Sequence, residues 1–219
     1  MTGSELVAAM LRRGAARPPY VPIVGEFAAE LGQVPFEVYV GDAQAQAVAL
    51  AQTVQAMQAD AATVGIGTDP AVGCDVLRRL RPLLSGQGIA AVVSEADVAA
   101  ARAYCEEGAQ LLLLLAPEAG GRLKTLGNAC RFYEVATILV DHALEDAVAV
   151  ALAYGLSGAV VAHPTGVEPG IVGGGLSVEH LVAAPVAPRA EGFFWSFPGE
   201  VPAGTSPEGL AELGAKLTG

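Results

Sequence analysis

The chain has 219 residues, of which 53% are hydrophobic and only 16% charged, a balance that excludes a disordered chain and supplies one sizeable core. Its formal net charge of −11 argues against sequence-independent nucleic-acid binding, which needs a cationic surface. The longest aliphatic run, Leu111 to Ala116, is far too short to span a bilayer. No basic stretch followed by an apolar one opens the chain, so a cytoplasmic protein without a membrane partner is expected.

In chain order, the pattern predicts a helix over Ser4–Arg13, a strand over 20–24 and a long helix over Asp42–Ala59 capped by Asp42. A strand over 61–66 leads into a helix over Pro70–Leu84, and a strand over 88–93 into a helix over Glu95–Glu107. Ser94 and Asp97 resemble a capping box for that helix. Strands follow at 110–115, 135–140 and 158–162, alternating with helices at Gly121–Phe132 and Ala143–Tyr154. Gly108, Gly155 and Gly158 read as helix stops. The glycine-rich stretch 166–175 reads as an irregular loop that opens a helix over Val178–Ala183. A further strand near Val182–Val186 competes with that helix, against Pro185 and Pro188. A last strand covers 193–197, and Ser206-Pro207 starts the closing helix Pro207–Leu217.

These strands are continuous apolar runs rather than alternating ones, as expected where helices cover both faces of a parallel sheet. Seven or eight such units predict an α/β fold, a (β/α)8 TIM-barrel-like domain over 1–219, compact and incomplete; a doubly wound open sheet is the competing reading, with Pro22 as the one mark of an edge strand.

In such a fold the residues just after the strands converge on one rim. That rule collects Glu26, Asp69, Glu95, Asp141, His142 and His163. Asp69, Asp141, His142 and His163 are the expected catalytic groups, and Glu26 and Glu95 the expected substrate contacts. His163, His142 and Glu26 together suit a divalent metal, zinc above all. The competing reading makes Asp69, Glu95 and Asp141 helix caps or first-turn acids. Backbone amides at Gly173 and Gly174 offer an anion site in their loop, or a lid. Alternation along the last strand sends one of Phe194 and Trp195 toward the site. Trp195 is the expected wall for a flat ligand, against plain core packing. His180 reads as solvated. Cys74, Cys105 and Cys130 form no disulfide framework, and Cys105 and Cys130 read as small buried residues. Arg12-Arg13-Arg17 and Arg78-Arg79-Arg81 read as solvated faces.

Three segments carry a resemblance. The first runs from Leu6 to Val76, with Arg17-Pro18-Pro19-Tyr20-Val21-Pro22, Phe36-Glu37-Val38-Tyr39-Val40-Gly41-Asp42 and Asp69-Pro70-Ala71-Val72-Gly73-Cys74-Asp75-Val76. The second is Gly121-Arg122-Leu123, and the third is the closing stretch Phe197 to Leu210, with Thr205-Ser206-Pro207-Glu208. Together they resemble the uroporphyrinogen decarboxylase superfamily, which also holds corrinoid-dependent methyltransferases. The resemblance implies a (β/α)8 barrel, a small-molecule substrate, and a corrinoid or a corrinoid-protein partner. The decarboxylases' Arg-Gln-Ala-Gly-Arg motif is replaced here by Gly25-Glu26-Phe27, which removes the cations an octa-acidic porphyrinogen needs. The methyltransferases' His-x-Cys pair is absent too, since Ala162-His163-Pro164 has no cysteine two residues on.

The favoured expectation is metal-assisted one-carbon (methyl) transfer, with His163 and the rim acids at its centre. The alternative is a metal-free, decarboxylase-like reaction on a small carboxylate, with Asp69 or Asp141 moving the proton and His142 tuning it. A non-catalytic binding or partner subunit is the third. Homo-oligomerisation is expected through helix faces that a shortened barrel leaves bare, with 182–187 as the candidate surface.

Overall fold

The structure, a computed structural model, describes residues 2–11, 14–115, 120–140, 146–164, 170–177, 182–183 and 192–218. Helix α1 (Gly3–Leu11) is fixed by a reciprocal box that the composition-level reading overlooked. The Thr2 N–H donates to Glu5 Oε2 at 2.8 Å, and the Glu5 N–H donates to Thr2 Oγ1 at 3.2 Å. After α1 come β1 (Ile23–Val24), α2 (Glu26–Leu31), α3 (Phe36–Gly41) and α4 (Ala43–Ala56). Next are β2 (Ala61–Val64), α5 (Pro70–Leu80), β3 (Gly88–Ser94), α6 (Val98–Glu106), β4 (Leu111–Leu115) and α7 (Gly120–Phe132). The chain continues through β5 (Ala136–Val140), α8 (Ala147–Ala153), β6 (Gly158–Val161), β7 (Ile171–Ser177) and β8 (Val182–Ala183). It closes with β9 (Phe193–Ser196), β10 (Glu200–Val201) and α9 (Pro207–Thr218).

Strands β2 to β7 pair in sequence order, all parallel, and β9 continues the sheet in parallel from β7. The segment leading into β1 occupies the eighth position. On one side the Val21 N–H donates to the Trp195 carbonyl at 2.8 Å, and the Trp195 N–H donates to the Pro19 carbonyl at 2.7 Å. On the other side the Asp60 N–H donates to the Tyr20 carbonyl at 2.9 Å. Farther up that seam the Thr63 hydroxyl takes the place of a backbone ladder, donating to the Pro22 carbonyl and accepting from the Val24 N–H, both at 3.1 Å. The expected barrel is therefore present, with a thin seam at its first strand. The β6–β7 connection spans only 162–170, fewer than the roughly dozen residues a helical crossover takes.

Side chains divide as the pleat requires. Val21, Ile23, Ala61, Ala90, Val92, Leu111, Leu113, Ile138, Val160, Ile171 and Phe194 fill the barrel, and Val7 and Met10 of α1 close its floor. Burying each of those two floor residues contributes roughly 1.5–3 kcal/mol. Ala62, Val64, Ala91, Val93, Leu112, Leu114, Leu139, Val172 and Trp195 face the helices instead.

Four expectations of local structure change. The stretch around Gly173 is not a loop but the middle of β7, hydrogen-bonded to β6 and β9. Its glycines are there because neighbours fill the space: a Cβ on Gly173 would lie 2.2 Å from Phe194 Cζ, and one on Gly174 1.9 Å from the Val161 carbonyl oxygen. The helix expected over Val178–Ala183 gives way at 182–183 to β8, antiparallel to β7; its other residues, His180 among them, lie outside the described residues. Helix α6 starts at Val98 rather than Glu95 because Asp97, not Ser94, caps it, accepting the N–H groups of Ala99 and Ala100. Gly158 lies in β6 and stops no helix.

Candidate active site at the strand C-terminal rim

Each sequence-selected residue inside the described residues can be placed. Glu26 is exposed at the first position of α2, just past β1. Asp69 is exposed and caps α5, its Oδ1 accepting the Ala71 N–H at 2.9 Å, with Pro70 at the first helical position. Glu95 is exposed past the end of β3, and His163 is exposed past the end of β6. Asp141 and His142 lie outside the described residues. Trp195 points away from the barrel interior: it is 6% exposed, packs edge-on to Phe193 at 5.1 Å and belongs to the helix-side core. The inward member of that pair is Phe194, so Trp195 is corrected from ligand wall to core packing. Gly173 and Gly174 are likewise corrected from anion loop to strand, since their backbone amides belong to the sheet.

Among the described residues no three His, Cys, Asp or Glu side chains are grouped closely enough to hold a metal ion. His163 and Glu26 stand past β6 and β1 respectively, and the expected third ligand, His142, is outside the described residues.

One rim carboxylate was overlooked. Glu200, in β10, is half-buried beside Glu26, whose backbone N–H donates to Glu200 Oε1 at 2.8 Å. Gly25 has no Cβ because that oxygen sits 2.3 Å from where one would be. Burial pushes the Glu200 carboxyl above the ordinary carboxylate range; the Glu26 N–H opposes this and the Glu26 charge adds to it. The rule that selected Glu26 would have found it, because the run Phe193 to Phe197 ends at Pro198-Gly199-Glu200.

Two adjoining clefts open over β2–β4 and meet at Glu95. One, of about 190 Å³, is lined by Gly65, Thr68, Ser94, Glu95, Asp97 and Tyr104, among others. The other, of about 470 Å³, lies between the starts of α6 and α7 and is lined by Glu95, Asp97, Arg122 and Thr125, among others. Glu95 and Ala96 both adopt left-handed backbone, at φ 56° and 51°. Such conformations cost non-glycine residues roughly 1–3 kcal/mol each and cluster at functional sites. Here they turn the chain between β3 and α6, so that Glu95 borders both clefts.

Tyr104, 1% exposed, reaches the smaller cleft from α6. Two glycines make room for its hydroxyl: a Cβ would lie 2.3 Å from it at Gly73 and 3.1 Å at Gly65. Burial pushes this phenol up to about 12, helped by the charges of Cys74, Asp69 and Asp97, so it is a neutral hydrogen-bond donor at physiological pH. The arrangement sets a charged anchor, Arg122, on one side of Glu95 and neutral donors and acceptors on the other.

No protein-family model matches the chain, and no curated protein does. Solved structures do match. KGPDC from Streptococcus mutans shares 15% identity at a TM-score of 0.56, covering 93% of this chain and 100% of that one. The 3-keto-L-gulonate-6-phosphate decarboxylase of Vibrio cholerae shares 13% at 0.55, covering 92% and 100%. An oxaloacetate acetylhydrolase shares 13% at 0.52, covering 90% and 80%. At these identities the likeness shows the fold, a (β/α)8-type α/β barrel.

The likeness to uroporphyrinogen decarboxylases and corrinoid methyltransferases is overturned, because the structures that share this fold are of other kinds. The physical reason is visible in the motifs. Asp69-Pro70 is a helix cap followed by a first-turn proline, and Ser206 caps α9, accepting the Gly209 N–H at 3.1 Å. Any helix start favours those residues. With the resemblance goes the basis for a corrinoid and for methyl transfer.

Proposed function

We propose that this chain is a small-molecule enzyme of the decarboxylase type, using acid–base chemistry on a small oxo acid at the rim over β2–β4. The observation that supports it is Glu95, set by two successive left-handed residues between a cleft with an arginine and a cleft with a buried neutral phenol. Arg122 and Thr125 anchor an anionic group of the substrate away from the reacting carbon. In the smaller cleft the bond to the leaving carboxylate breaks, CO2 departs, and the electron pair passes into the neighbouring carbonyl as an enolate. The Tyr104 hydroxyl donates to that enolate oxygen, a fixed dipole aimed where charge develops. Glu95, at the solvent edge, delivers the proton that restores the carbon. The solved structures of similar fold include decarboxylases, which supports this reading over methyl transfer.

The test is CO2 release from a panel of small oxo acids and oxo diacids of three to six carbons, each with its carbonyl β to a carboxylate so that the enolate step can occur. Wild type is expected to release CO2 from at least one. Glu95→Gln is expected to lower kcat by about 10²-fold or more, the usual weight of a positioned proton donor, and Arg122→Gln to raise KM. No release across the panel, or full activity in Glu95→Gln, would overturn the proposal.

A further inference from the structure

We infer that Thr68 is a specificity-determining residue that selects a hydroxyl group on the ligand, and that Gln46 is the positioning residue that makes it so. The inference rests on the reading of the rim clefts as a small-carboxylate site.

Gln46 lies on α4 and is 0% exposed. Its Nε2 is 2.8 Å from Thr68 Oγ1, and Thr68 Oγ1 is 3.1 Å from the Ile66 carbonyl oxygen. A carbonyl oxygen cannot donate, so the single hydroxyl hydrogen of Thr68 goes to Ile66. Gln46 must then be the donor to Thr68, which fixes the orientation of its carboxamide. The consequence is visible at the other end of the amide, where Gln46 Oε1 is buried with no hydrogen-bond partner among the described residues. Burying an orphaned oxygen is unfavourable, and the geometry keeps it so that Nε2 faces Thr68.

Thr68 is partly exposed and lines the smaller cleft together with Tyr104. With its hydrogen given to Ile66 and one lone pair filled by Gln46, the hydroxyl has a lone pair left for the cleft. A threonine ordinarily adapts as donor or acceptor, but this one is restricted to accepting. Tyr104, a neutral phenol, supplies a donor to the same cleft. The pair matches a ligand that has an O–H next to an oxygen acceptor, that is, a hydroxylated acid rather than its deoxy counterpart. A site built to bond a hydroxyl discriminates strongly against the analogue that lacks it, because its own polar group is then left unpaired.

The test is calorimetric titration of the whole chain with glutarate and with its 2- and 3-hydroxy derivatives. Wild type is expected to bind at least one hydroxy derivative about 10-fold more tightly than glutarate, the size of one well-placed hydrogen bond. Thr68→Val should reduce that ratio to about one, by weakening the hydroxy derivative and relieving the unpaired oxygen that glutarate leaves. Thr68→Ser, which keeps the hydroxyl, should retain the preference, and Gln46→Leu, which releases the hydroxyl from its fixed orientation, should weaken it. Equal binding of all three acids by wild type, no binding of any, or a preference that survives Thr68→Val would overturn the inference. Failure of the underlying reading is seen separately, as absence of CO2 release from the oxo-acid panel. A hydroxyl preference without that release would keep the role of Thr68 and reject the reaction.

Discussion

The ring of Phe194 occupies the space that a side chain at Gly173 would need. The two residues are partners across the parallel β7–β9 ladder, and a Cβ on Gly173 would stand 2.2 Å from Phe194 Cζ. One strand thus gives up its side chain so that the next can fill the barrel. Gly173→Ala is therefore expected to destabilise the fold by about 1–3 kcal/mol, the usual cost of overpacking, with the double variant Gly173→Ala, Phe194→Leu recovering part of it. Denaturant unfolding of the four proteins in that cycle measures both effects.

Ser196 lies two residues beyond Phe194 on the same inward face, is 0% exposed, and its hydroxyl has no partner among the described residues. An orphaned buried hydroxyl is unfavourable. Ser196→Ala is expected to leave stability unchanged or raise it by about 1 kcal/mol. A clear loss in chemical denaturation would show that the hydroxyl is bonded after all.

The seam where the first strand meets β2 depends on Asp60. Its carboxylate receives both terminal nitrogens of Arg17, at 2.8 and 2.9 Å, and the Tyr20 N–H at 2.8 Å. The Asp60 side chain is only 8% exposed against 30% for Arg17. Asp60→Ala is expected to cost about 2–3 kcal/mol, less than for a fully buried pair because water reaches the arginine. Arg17→Ala should cost less than Asp60→Ala, since Tyr20 still satisfies the carboxylate. Thermal unfolding of the two variants gives the order.

Glu200 predicts a pH dependence. Burial raises its folded-state pKa above the ordinary 4.5, so the folded state favours the protonated form. Its contribution to stability is then fully present below about 4.5 and is lost as pH rises through the folded value. Glu200→Gln, which keeps an acceptor for the Glu26 N–H, cannot ionise. The variant should gain on wild type as pH rises from about 4.5 through the raised folded value, then hold that gain once Glu200 is ionised in both states. Melting temperatures across this range decide it; a constant difference would show that the carboxyl is not perturbed.

The barrel itself was legible because its strands are continuous apolar runs and its helices carry local caps such as Asp42 and Asp69. What escaped was set by tertiary neighbours. Gly173 and Gly174 look like loop residues until the Phe194 ring and the Val161 carbonyl are beside them. The direction of Trp195 was equally hidden, because alternation leaves two choices and only register with β7 selects one. Thr68 and Tyr104 were passed over since neither is charged; they matter through Gln46, Ile66, Gly65 and Gly73, partners that the chain brings together only on folding. Glu95 was selected as a rim acid, but the left-handed turn that sets it between two clefts has no glycine to announce it. The family resemblance failed for a related reason, as its motifs were helix-capping chemistry common to many folds.

The proposed reaction requires a small carboxylate to bind where Glu95 separates the two rim clefts. The most direct test is an amide chemical-shift map of the isotope-labelled protein titrated with 2-hydroxyglutarate. Saturable shifts are expected to be confined to the amides around Thr68, Glu95, Asp97, Arg122 and Thr125 and to be lost in Arg122→Gln. Saturable shifts confined instead to the opposite end of the barrel, around Gln87 or Thr137, or no shifts at all, would contradict binding there.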